Sequence, residues 1–203
     1  MKIICIGRNY ANHAKELNNP VPQEPIFFLK PDVALLKNGG DFYYPSFTKE
    51  IHYECELVIR IDKIGKHIKE AFAPKYYSSI SLGIDFTARD LQEECKQKGM
   101  PWEKAKAFEH SAPMSDLFLP VADFDLNNLS FSLQKNGEVV QRGNSSDMIF
   151  HIDQIIAYVS QFFTLKTGDL IFTGTPEGVG PIQIGDQLEG FIGEQKMFSF
   201  QIK

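Results

Sequence analysis

Three acidic residues have the types and spacing of a divalent-cation site. Glu54 and Glu56 lie two residues apart in the alternating segment 52–62, so on a β-strand their carboxylates point side by side from one face. Asp85 ends a second alternating segment and points away from its apolar side chains. Three oxygen donors with no accompanying thiolate or histidine cluster favour Mg²⁺ or Mn²⁺. A solvent-facing strand edge is the alternative interpretation of the Glu-x-Glu pair.

Two further groups of residues could hold an anion beside such a cation. Arg89 and Gln92 are three residues apart at the start of a predicted helix and share one helical face. A guanidinium can pair with a carboxylate through two hydrogen bonds, and a helix N-terminus adds partial positive charge. Thr175 lies in the glycine-rich turn 173–181, where its hydroxyl and nearby amides could bind a small anion. A solvated arginine on a capped helix and a purely structural turn are the alternatives.

The candidates for proton transfer are weaker when each is considered alone. His13 and Glu16 are three residues apart in a predicted short helix, a spacing that lets a carboxylate orient an imidazole. Lys106 lies between two alanines, and a solvent-exposed lysine is its default interpretation. Neither feature indicates a particular reaction by itself.

The elements that must position these residues follow from hydrophobic periodicity. Period-two alternation in segment 52–62 puts five side chains on the core face: Tyr53, Cys55, Leu57, Ile59 and Ile61. Further strands are predicted at 2–6, 25–30, 79–86, 170–172 and 187–188, with a type I′ hairpin at Asn136-Gly137 within 129–140. Helices are predicted at 10–17, 88–98 and 152–163. Strands and helices without strict βαβ alternation favour an α+β fold.

Composition excludes several classes of protein. The net charge of −5, from 21 basic and 26 acidic residues, argues against a nucleic-acid-binding protein. No apolar run approaches the ~18–20 residues that cross a bilayer, and segment 1–7 is too short and too soon polar for a signal peptide. Cys5, Cys55 and Cys95 lack CxxC spacing and are expected to be reduced structural thiols. We therefore expect a single cytoplasmic domain spanning residues 1–203.

A set of motifs along nearly the whole chain resembles the fumarylacetoacetate hydrolase family, and more closely its small branch of acylpyruvate hydrolases and oxaloacetate decarboxylases. The motifs are Ile6–His13, Phe28–Pro31, His52–Leu57, Asp85–Asp90, Gly99–Trp102 with Lys106, Ser145–Met148 and Gly168–Gly180. The resemblance implies an α+β fold with a mixed β-roll or sandwich core and short flanking helices, usually in a homodimer. Larger family members carry an additional N-terminal domain, whereas the first motif here begins within ten residues of Met1.

The resemblance also implies roles for the candidate residues. It assigns Mg²⁺ or Mn²⁺ binding to Glu54, Glu56 and Asp85. It assigns the carboxylate end of the substrate to Arg89, Gln92 and Thr175, and makes Lys106 an active-site lysine. It places His13 and Glu16 on a mobile lid, where in family hydrolases the pair activates water.

The implied activity is acylpyruvate hydrolysis, which cleaves the C3–C4 bond of 2,4-dioxo acids, or decarboxylation of oxaloacetate, so the expected ligand is a small 2-oxo carboxylate. Either reaction leaves a pyruvate enolate, and a divalent cation stabilises that developing oxyanion as a Lewis acid. Hydrolysis also needs a water molecule, for which His13 and Glu16 are the expected general base. One alternative is an isomerase or hydratase of 2-oxo or 2-hydroxy dienoic acids, against which the His13–Glu16 pair argues. Another is a non-catalytic metal- or metabolite-binding domain, which would not need Lys106.

Overall fold

A six-stranded mixed sheet forms the centre of the computed structural model, which describes residues 1–16, 21–36 and 39–203. In spatial order its strands are β2 (Ile26–Lys30), β1 (Ile3–Gly7), β12 (Leu170–Phe172), β5 (Cys55–Ile61), β6 (Tyr77–Ile84) and β9 (Leu119–Pro120). Strands β1 and β12 run parallel, and the other neighbouring pairs are antiparallel.

Smaller sheets complete the β structure. One of them contacts β5 and β6 and contains, in order, β11 (Glu138–Asn144), β10 (Ser130–Lys135), β14 (Gln187–Ile192) and β15 (Gln195–Gln201). Another contains, in order, β13 (Gly180–Pro181), β4 (Ile51–Tyr53) and β7 (Thr87–Ala88). A short parallel pair joins β3 (Leu35–Leu36) to β8 (Ala112–Pro113).

Short helices accompany the sheets, which confirms the predicted α+β fold. The α-helices are α1 (Ala11–Glu16), α2 (Arg89–Lys98), α3 (Glu103–Lys106) and α4 (Ile152–Phe162), and 3₁₀ turns occupy Asp32–Ala34, Glu70–Lys75, Val121–Asp123 and Ser145–Asp147. Helix α1 begins at Ala11, one residue after the start of the predicted helix 10–17, because Tyr10 forms a β-bridge with Met148. Its predicted end falls on residues 17–20, which lie outside the described residues.

The strand that carries Glu56 lies inside the central sheet between β12 and β6, and hydrophobic clusters cover both of its faces. The five predicted core residues of 52–62 belong to the main hydrophobic cluster, as expected. On the opposite face, Val58 packs in a second cluster with Phe172. The prediction of one continuous strand was wrong at Glu54, since β4 pairs with β7 and β13 whereas β5 pairs with β6 and β12. The two glutamates therefore lie where the chain passes from one sheet to another.

Local turn and helix signals are confirmed with one correction. Asn136 and Gly137 have φ angles of 55° and 82°, the sign combination of a type I′ turn, between β10 and β11. Gly99, at φ 62°, ends α2 in the left-handed conformation. The predicted apolar face of α4 is buried at Ile152, Ile155, Ile156 and Val159. Phe163 was predicted to continue this helix, but its backbone is extended and follows the last helical residue.

The cysteines agree with the prediction of reduced, structural thiols. Cys5, Cys55 and Cys95 are buried and form no disulfide. Burial raises the pKa of Cys5 and of Cys55, so neither thiol is a ready nucleophile. Across the described residues, no helix has the length and apolar character needed to cross a bilayer.

Candidate active site

The three acidic residues of the predicted cation site meet where the central sheet adjoins the β4 sheet. Glu54 connects β4 to β5, Glu56 is the second residue of β5, and Asp85 follows the last residue of β6. Antiparallel pairing of β5 with β6 brings them together, and the Asp85 amide donates a hydrogen bond to the Glu54 carbonyl at 2.8 Å. One carboxylate oxygen from each lies within 4.8 Å of the others. We call these three buried side chains the carboxylate cluster.

Cationic side chains from three different elements surround the carboxylate cluster. Lys106, at the end of α3, donates hydrogen bonds to Glu54 Oε2 at 2.8 Å and to Asp85 Oδ2 at 2.7 Å. Arg89, the first residue of α2, donates from Nη2 to Glu54 Oε1 at 2.7 Å. Lys30, the last residue of β2, places Nζ 2.7 Å from Asp85 Oδ1. These contacts satisfy the requirement that charges removed from water be paired.

Glu56 is the member of the cluster whose charge is least compensated. Burial raises the pKa of Glu56 well above its usual value, and the charges of Asp85 and Glu54 raise it further. The Gly174 amide opposes this shift by donating to Glu56 Oε2 at 2.8 Å. Among the described residues, Glu56 has no ion-pair partner. An additional cation near Glu56 would therefore relieve the repulsion within the cluster.

Lys106 is held as an ammonium by the carboxylates around it. Its burial alone would lower the pKa, but the charges of Asp85 and Glu54 outweigh that effect and raise it. A third hydrogen bond, to Thr87 Oγ1 at 2.6 Å, uses the remaining N–H donor of the ammonium. The buried position replaces the exposed lysine that was the default interpretation.

The donor set fits a hard divalent cation. Oxygens within 4.8 Å of one another can reach one ion at about 2.0–2.6 Å each. The contact between Lys30 and Asp85 is an ion pair without hydrogen-bond geometry, so the buried Oδ1 keeps a lone pair for another ligand. Carboxylate oxygens without nitrogen or sulfur donors suit Mg²⁺ and Mn²⁺ alike.

The predicted anion-binding face of α2 is buried, and it is partly engaged within the protein. Arg89 Nη1 donates to Gln92 Oε1 at 2.6 Å while Nη2 holds Glu54. Both Arg89 and Gln92 are buried, which differs from the alternative of a solvated helix surface. In the part of the chain that the structure describes, Arg89 Nε is buried without a hydrogen-bond partner. One donor of the guanidinium thus remains for a ligand.

The glycine-rich turn fastens itself to β5 through buried polar groups. Thr175 donates to the Cys55 carbonyl at 2.9 Å and accepts from Gln141 Nε2 at 3.0 Å. Gln141 Oε1 accepts from the Cys55 amide at 2.9 Å, so this glutamine joins the turn to the strand. The amide of Gly174 in this turn does bind an anion, but the anion is the side chain of Glu56.

Helix α1 is docked on the same turn. The Gly178 amide donates to both carboxylate oxygens of Glu16, at 3.2 and 3.3 Å, and Asn12 Nδ2 donates to Glu177 Oε1 at 3.3 Å. His13 belongs to α1, but its side chain lies outside the described residues. The pairing of His13 with Glu16 therefore stays a prediction.

A pocket beside the carboxylate cluster opens to solvent. It is lined by the seven residues predicted to bind metal or substrate or to act as the active-site lysine: Glu54, Glu56, Asp85, Arg89, Gln92, Lys106 and Thr175. Further lining residues are Ile6, Gly7, Arg8, Phe28, Lys96 and Trp102. The pocket thus combines carboxylate, cationic and aromatic side chains. This combination suits a small anion that also binds a metal ion.

Comparison with known proteins identifies the family. Residues 2–199 match the fumarylacetoacetate (FAA) hydrolase C-terminal family. The chain belongs to this family. The resemblance stated from the motifs is thereby confirmed.

Within the fumarylacetoacetate hydrolase family, the similar proteins are enzymes of oxo-acid chemistry. The mitochondrial oxaloacetate tautomerase of Mus musculus is 46% identical over 202 residues, covering 99% of this chain and 91% of its own. The mitochondrial oxaloacetate decarboxylase of Dictyostelium discoideum is 42% identical over 204 residues, with coverage of 99% and 93%. The crystal structure of fumarylpyruvate hydrolase from Pseudomonas aeruginosa with Mn²⁺ and pyruvate is 38% identical, with a TM-score of 0.93 and coverage of 100% and 89%.

Sequence reasoning gave no role to three residues that the structure brings to the site of this family member. They are Lys30, Gln141 and Arg8. A signal existed for Lys30, because a lone cation closes the apolar strand β2 directly before Pro31. Arg8 lies in the motif Ile6–His13, which gives it no role by itself, and no quoted motif or local pattern marks Gln141.

Proposed function

We propose that this protein is a divalent-metal-dependent enzyme that interconverts the enol and keto forms of oxaloacetate. The observation that carries the proposal is the buried carboxylate cluster, paired with Lys106 and Arg89 and open to the pocket. The tautomerase of Mus musculus, 46% identical over nearly the whole chain, supports oxaloacetate as the substrate. The Mn²⁺ in the fumarylpyruvate hydrolase structure supports a divalent ion as the cofactor.

Tautomerisation of oxaloacetate was absent from the expectations, which named decarboxylation and hydrolysis, with isomerisation or hydration of dienoic acids as an alternative. All three reactions develop negative charge on the C2 oxygen of a 2-oxo carboxylate, so one set of residues serves each of them. What distinguishes them is the second event: a proton moves at C3, CO₂ leaves, or water attacks C4. The residues around the C2 oxygen thus define the substrate class, and residues farther along the pocket select the reaction.

The side chains of the site take separate roles in this proposal. Glu54, Glu56 and Asp85 would hold the ion, which when bound supplies Lewis-acid stabilisation of negative charge. The Lys106 ammonium adds fixed positive charge beside the reacting oxygen. Arg89 offers its Nε–H to the C1 carboxylate of the substrate.

Conversion of the enol to the keto form removes the proton of the C2 hydroxyl to solvent and adds a proton at C3, and the reverse reaction does the opposite. The expected group is the imidazole of His13 on α1, with Glu16 to orient it. Helix α1, which carries position 13 in the sequence, is docked against the glycine-rich turn, and Thr175 of that turn lines the pocket.

The test follows three reactions on one purified preparation. Decay of the enol absorbance of oxaloacetate reports tautomerisation, coupled lactate dehydrogenase reports pyruvate from decarboxylation, and loss of the diketone absorbance of acetylpyruvate and fumarylpyruvate reports hydrolysis. We expect tautomerisation to require Mg²⁺ or Mn²⁺ and its kcat/KM to exceed the others by about 10-fold or more. Absence of any metal-dependent acceleration of oxaloacetate tautomerisation would refute the proposal.

Acylpyruvate hydrolysis is the second candidate, and a specific contact favours it. The Glu16–Gly178 hydrogen bonds hold α1 at the glycine-rich turn, where a helix must lie if it is to deliver an activated water. Faster turnover of fumarylpyruvate than of enol oxaloacetate in the same assays would establish hydrolysis as the main activity. The expected homodimer and cytoplasmic location are untested and stay predictions.

A further inference from the structure

We propose that Arg8 binds the distal carboxylate of the substrate and so makes the site selective for 2-oxo dicarboxylates. The inference rests on the proposed function and specifies its substrate class. Arg8 follows β1 directly, lines the pocket and is half-buried. Three observations lead to this role: its unpaired charge, its fixed backbone and the charge that a dicarboxylate brings.

Arg8 differs from the other cations that line the pocket in having no acidic partner. Lys106 and Arg89 bind the carboxylate cluster, and Lys96 pairs with Glu93 at 2.7 Å. Within the described ranges of the chain, Arg8 takes part in no ion pair and no side-chain hydrogen bond. A guanidinium left unpaired beside a pocket keeps its fork of donors for an anion that enters.

The backbone at Arg8 is held in a conformation that its residue type does not favour. Its φ angle is 58°, in the left-handed region where a side chain with a Cβ is strained. The next residue, Asn9, is fully buried and secures this turn. Asn9 Nδ2 donates to the carbonyls of Phe150 at 2.9 Å and Thr173 at 2.8 Å, and Asn9 Oδ1 accepts from the Phe150 amide at 2.8 Å. Backbone strain of this kind persists only where surrounding hydrogen bonds hold it, and such positions are concentrated at functional sites.

The charge of oxaloacetate explains why the pocket needs another cation. Its 2-oxo acid end carries one carboxylate, for which Arg89 Nε remains available, and its C4 carboxylate is a second. The cations around the carboxylate cluster are already compensated, and the aromatic lining residues Phe28 and Trp102 offer no charge to an anion. A carboxylate buried there without a partner would lose its bound water and gain no hydrogen bond or ion pair in return. Arg8 supplies the missing partner.

The experiment compares ligands that differ only in the distal carboxylate. L-malate and L-lactate both carry a 2-hydroxy acid end and neither tautomerises, but only malate has the second carboxylate. Binding to Mn²⁺-loaded protein is measured by calorimetry for wild type, Arg8→Asn and Arg8→Lys. Asn removes the charge yet tolerates positive φ, and Lys keeps the charge without the fork. Arg142→Asn, on the exposed part of β11, removes a guanidinium elsewhere as a control.

We expect wild type to bind malate about 10-fold or more tightly than lactate. Arg8→Asn should remove that preference with lactate binding unchanged, Arg8→Lys should keep part of it, and Arg142→Asn should keep all of it. Unchanged malate preference in Arg8→Asn would overturn the proposal, and so would equal weakening of malate and lactate. Where neither acid binds measurably to wild type, the ratio of kcat/KM for enol oxaloacetate to enol phenylpyruvate, a monocarboxylate, decides in the same way.

Two controls separate this inference from folding and from the proposed function. Far-ultraviolet circular dichroism and the Mn²⁺ affinity, measured by electron paramagnetic resonance, should be the same in Arg8→Asn and wild type. If the protein prefers malate through Arg8 but does not tautomerise oxaloacetate, the proposed function is refuted and the carboxylate subsite at Arg8 stands. If the protein tautomerises oxaloacetate but prefers malate independently of Arg8, the proposed function stands and the subsite at Arg8 is refuted.

Discussion

Lys30 Nζ lies 2.7 Å from Asp85 Oδ1, and neither side chain has more than 2% of its surface exposed. The same ammonium donates hydrogen bonds to the carbonyl oxygens of Phe86, Lys106 and Ser111. One lysine from β2 therefore joins the strand end that carries Asp85 to the helix that carries Lys106. Its charge and its position both contribute to keeping three carboxylates together out of water.

Lys30→Met should destabilise the metal-free protein by about 3–5 kcal/mol, because it removes one of the two ammonium groups that pair with the buried Asp85 carboxylate. A divalent ion at the cluster would restore part of the lost charge. The increase in unfolding free energy on adding saturating Mg²⁺ should therefore be larger in the variant than in wild type. Urea unfolding with and without Mg²⁺ measures both quantities.

Lys2→Met is the matched control for this prediction. Lys2 pairs with the buried Asp169 at 2.5 Å, away from the carboxylate cluster, so its loss removes a comparable ion pair. Its stabilisation by Mg²⁺ should equal that of wild type. An equal response to Mg²⁺ in Lys30→Met and Lys2→Met would show that Lys30 does not act on the cation site.

Glu56→Gln should weaken Mn²⁺ binding by about 10-fold or more and yet stabilise the metal-free protein. The amide keeps the shape and the acceptor for Gly174, and it removes one of three neighbouring negative charges. Because the folded protein raises the pKa of Glu56, the wild-type protein loses stability as pH rises from the unfolded pKa near 4.3 through that raised value. The stability gain should thus be larger at pH 8 than at pH 5.

Calorimetry with Mn²⁺ and urea unfolding at the two pH values check the Glu56 prediction. Glu138→Gln, on the exposed start of β11, changes charge equally without touching the cluster. Unaltered Mn²⁺ affinity in Glu56→Gln would remove Glu56 from the ligand set. A stability gain of the same size at both pH values would mean that charge repulsion is not its cause.

Much of this arrangement follows from local patterns, and the rest depends on tertiary contacts. Alternation along 52–62 and 79–86 correctly predicts the core faces and the side on which the acidic residues lie. It does not predict the change of sheet at Glu54, because the alternation continues through that residue while its strand partners change.

The buried lysine and arginine side chains show more clearly what local sequence patterns cannot predict. A lone lysine or arginine in a sequence is solvent-exposed in most proteins, and only contacts from distant elements decide otherwise. Lys30 is buried because the carbonyls of residues 86, 106 and 111 and the Asp85 carboxylate converge on it. The motifs likewise do not select among tautomerisation, decarboxylation and hydrolysis, because the three reactions of 2-oxo acids place the same demands on the groups around the C2 oxygen.

Arg89→Lys should lower kcat/KM for oxaloacetate by about 10-fold or more, equivalent to about 1.4 kcal/mol of transition-state binding. Lysine keeps the charge, but it cannot hold Glu54 and Gln92 together and also offer a third donor to substrate. Steady-state kinetics measure the loss, with Arg60→Lys, a partly exposed residue of β5, as control. Wild-type kinetics in Arg89→Lys would mean that its guanidinium fork has no part in catalysis.

His13→Ala should separate the reactions that share the site. Hydrolysis and tautomerisation need a proton moved by a side chain, so both should fall by about 100-fold, the usual effect of losing a general base. Decarboxylation of oxaloacetate releases CO₂ and needs neither a C3 base nor water. It should lose distinctly less, because the carboxylate cluster, Arg89 and Lys106 remain.

Asn12→Ala distinguishes a chemical role of His13 from a role in closing the pocket. Asn12 bonds Glu177 across the contact between α1 and the glycine-rich turn, so its loss loosens α1 and keeps the imidazole. If α1 acts as a lid, Asn12→Ala should slow all three reactions by a similar factor. Measured with saturating metal, a selective loss in His13→Ala and a uniform loss in Asn12→Ala would establish both roles. Uniform losses in both variants would assign His13 to closure alone, and the general base would then have to come from another residue.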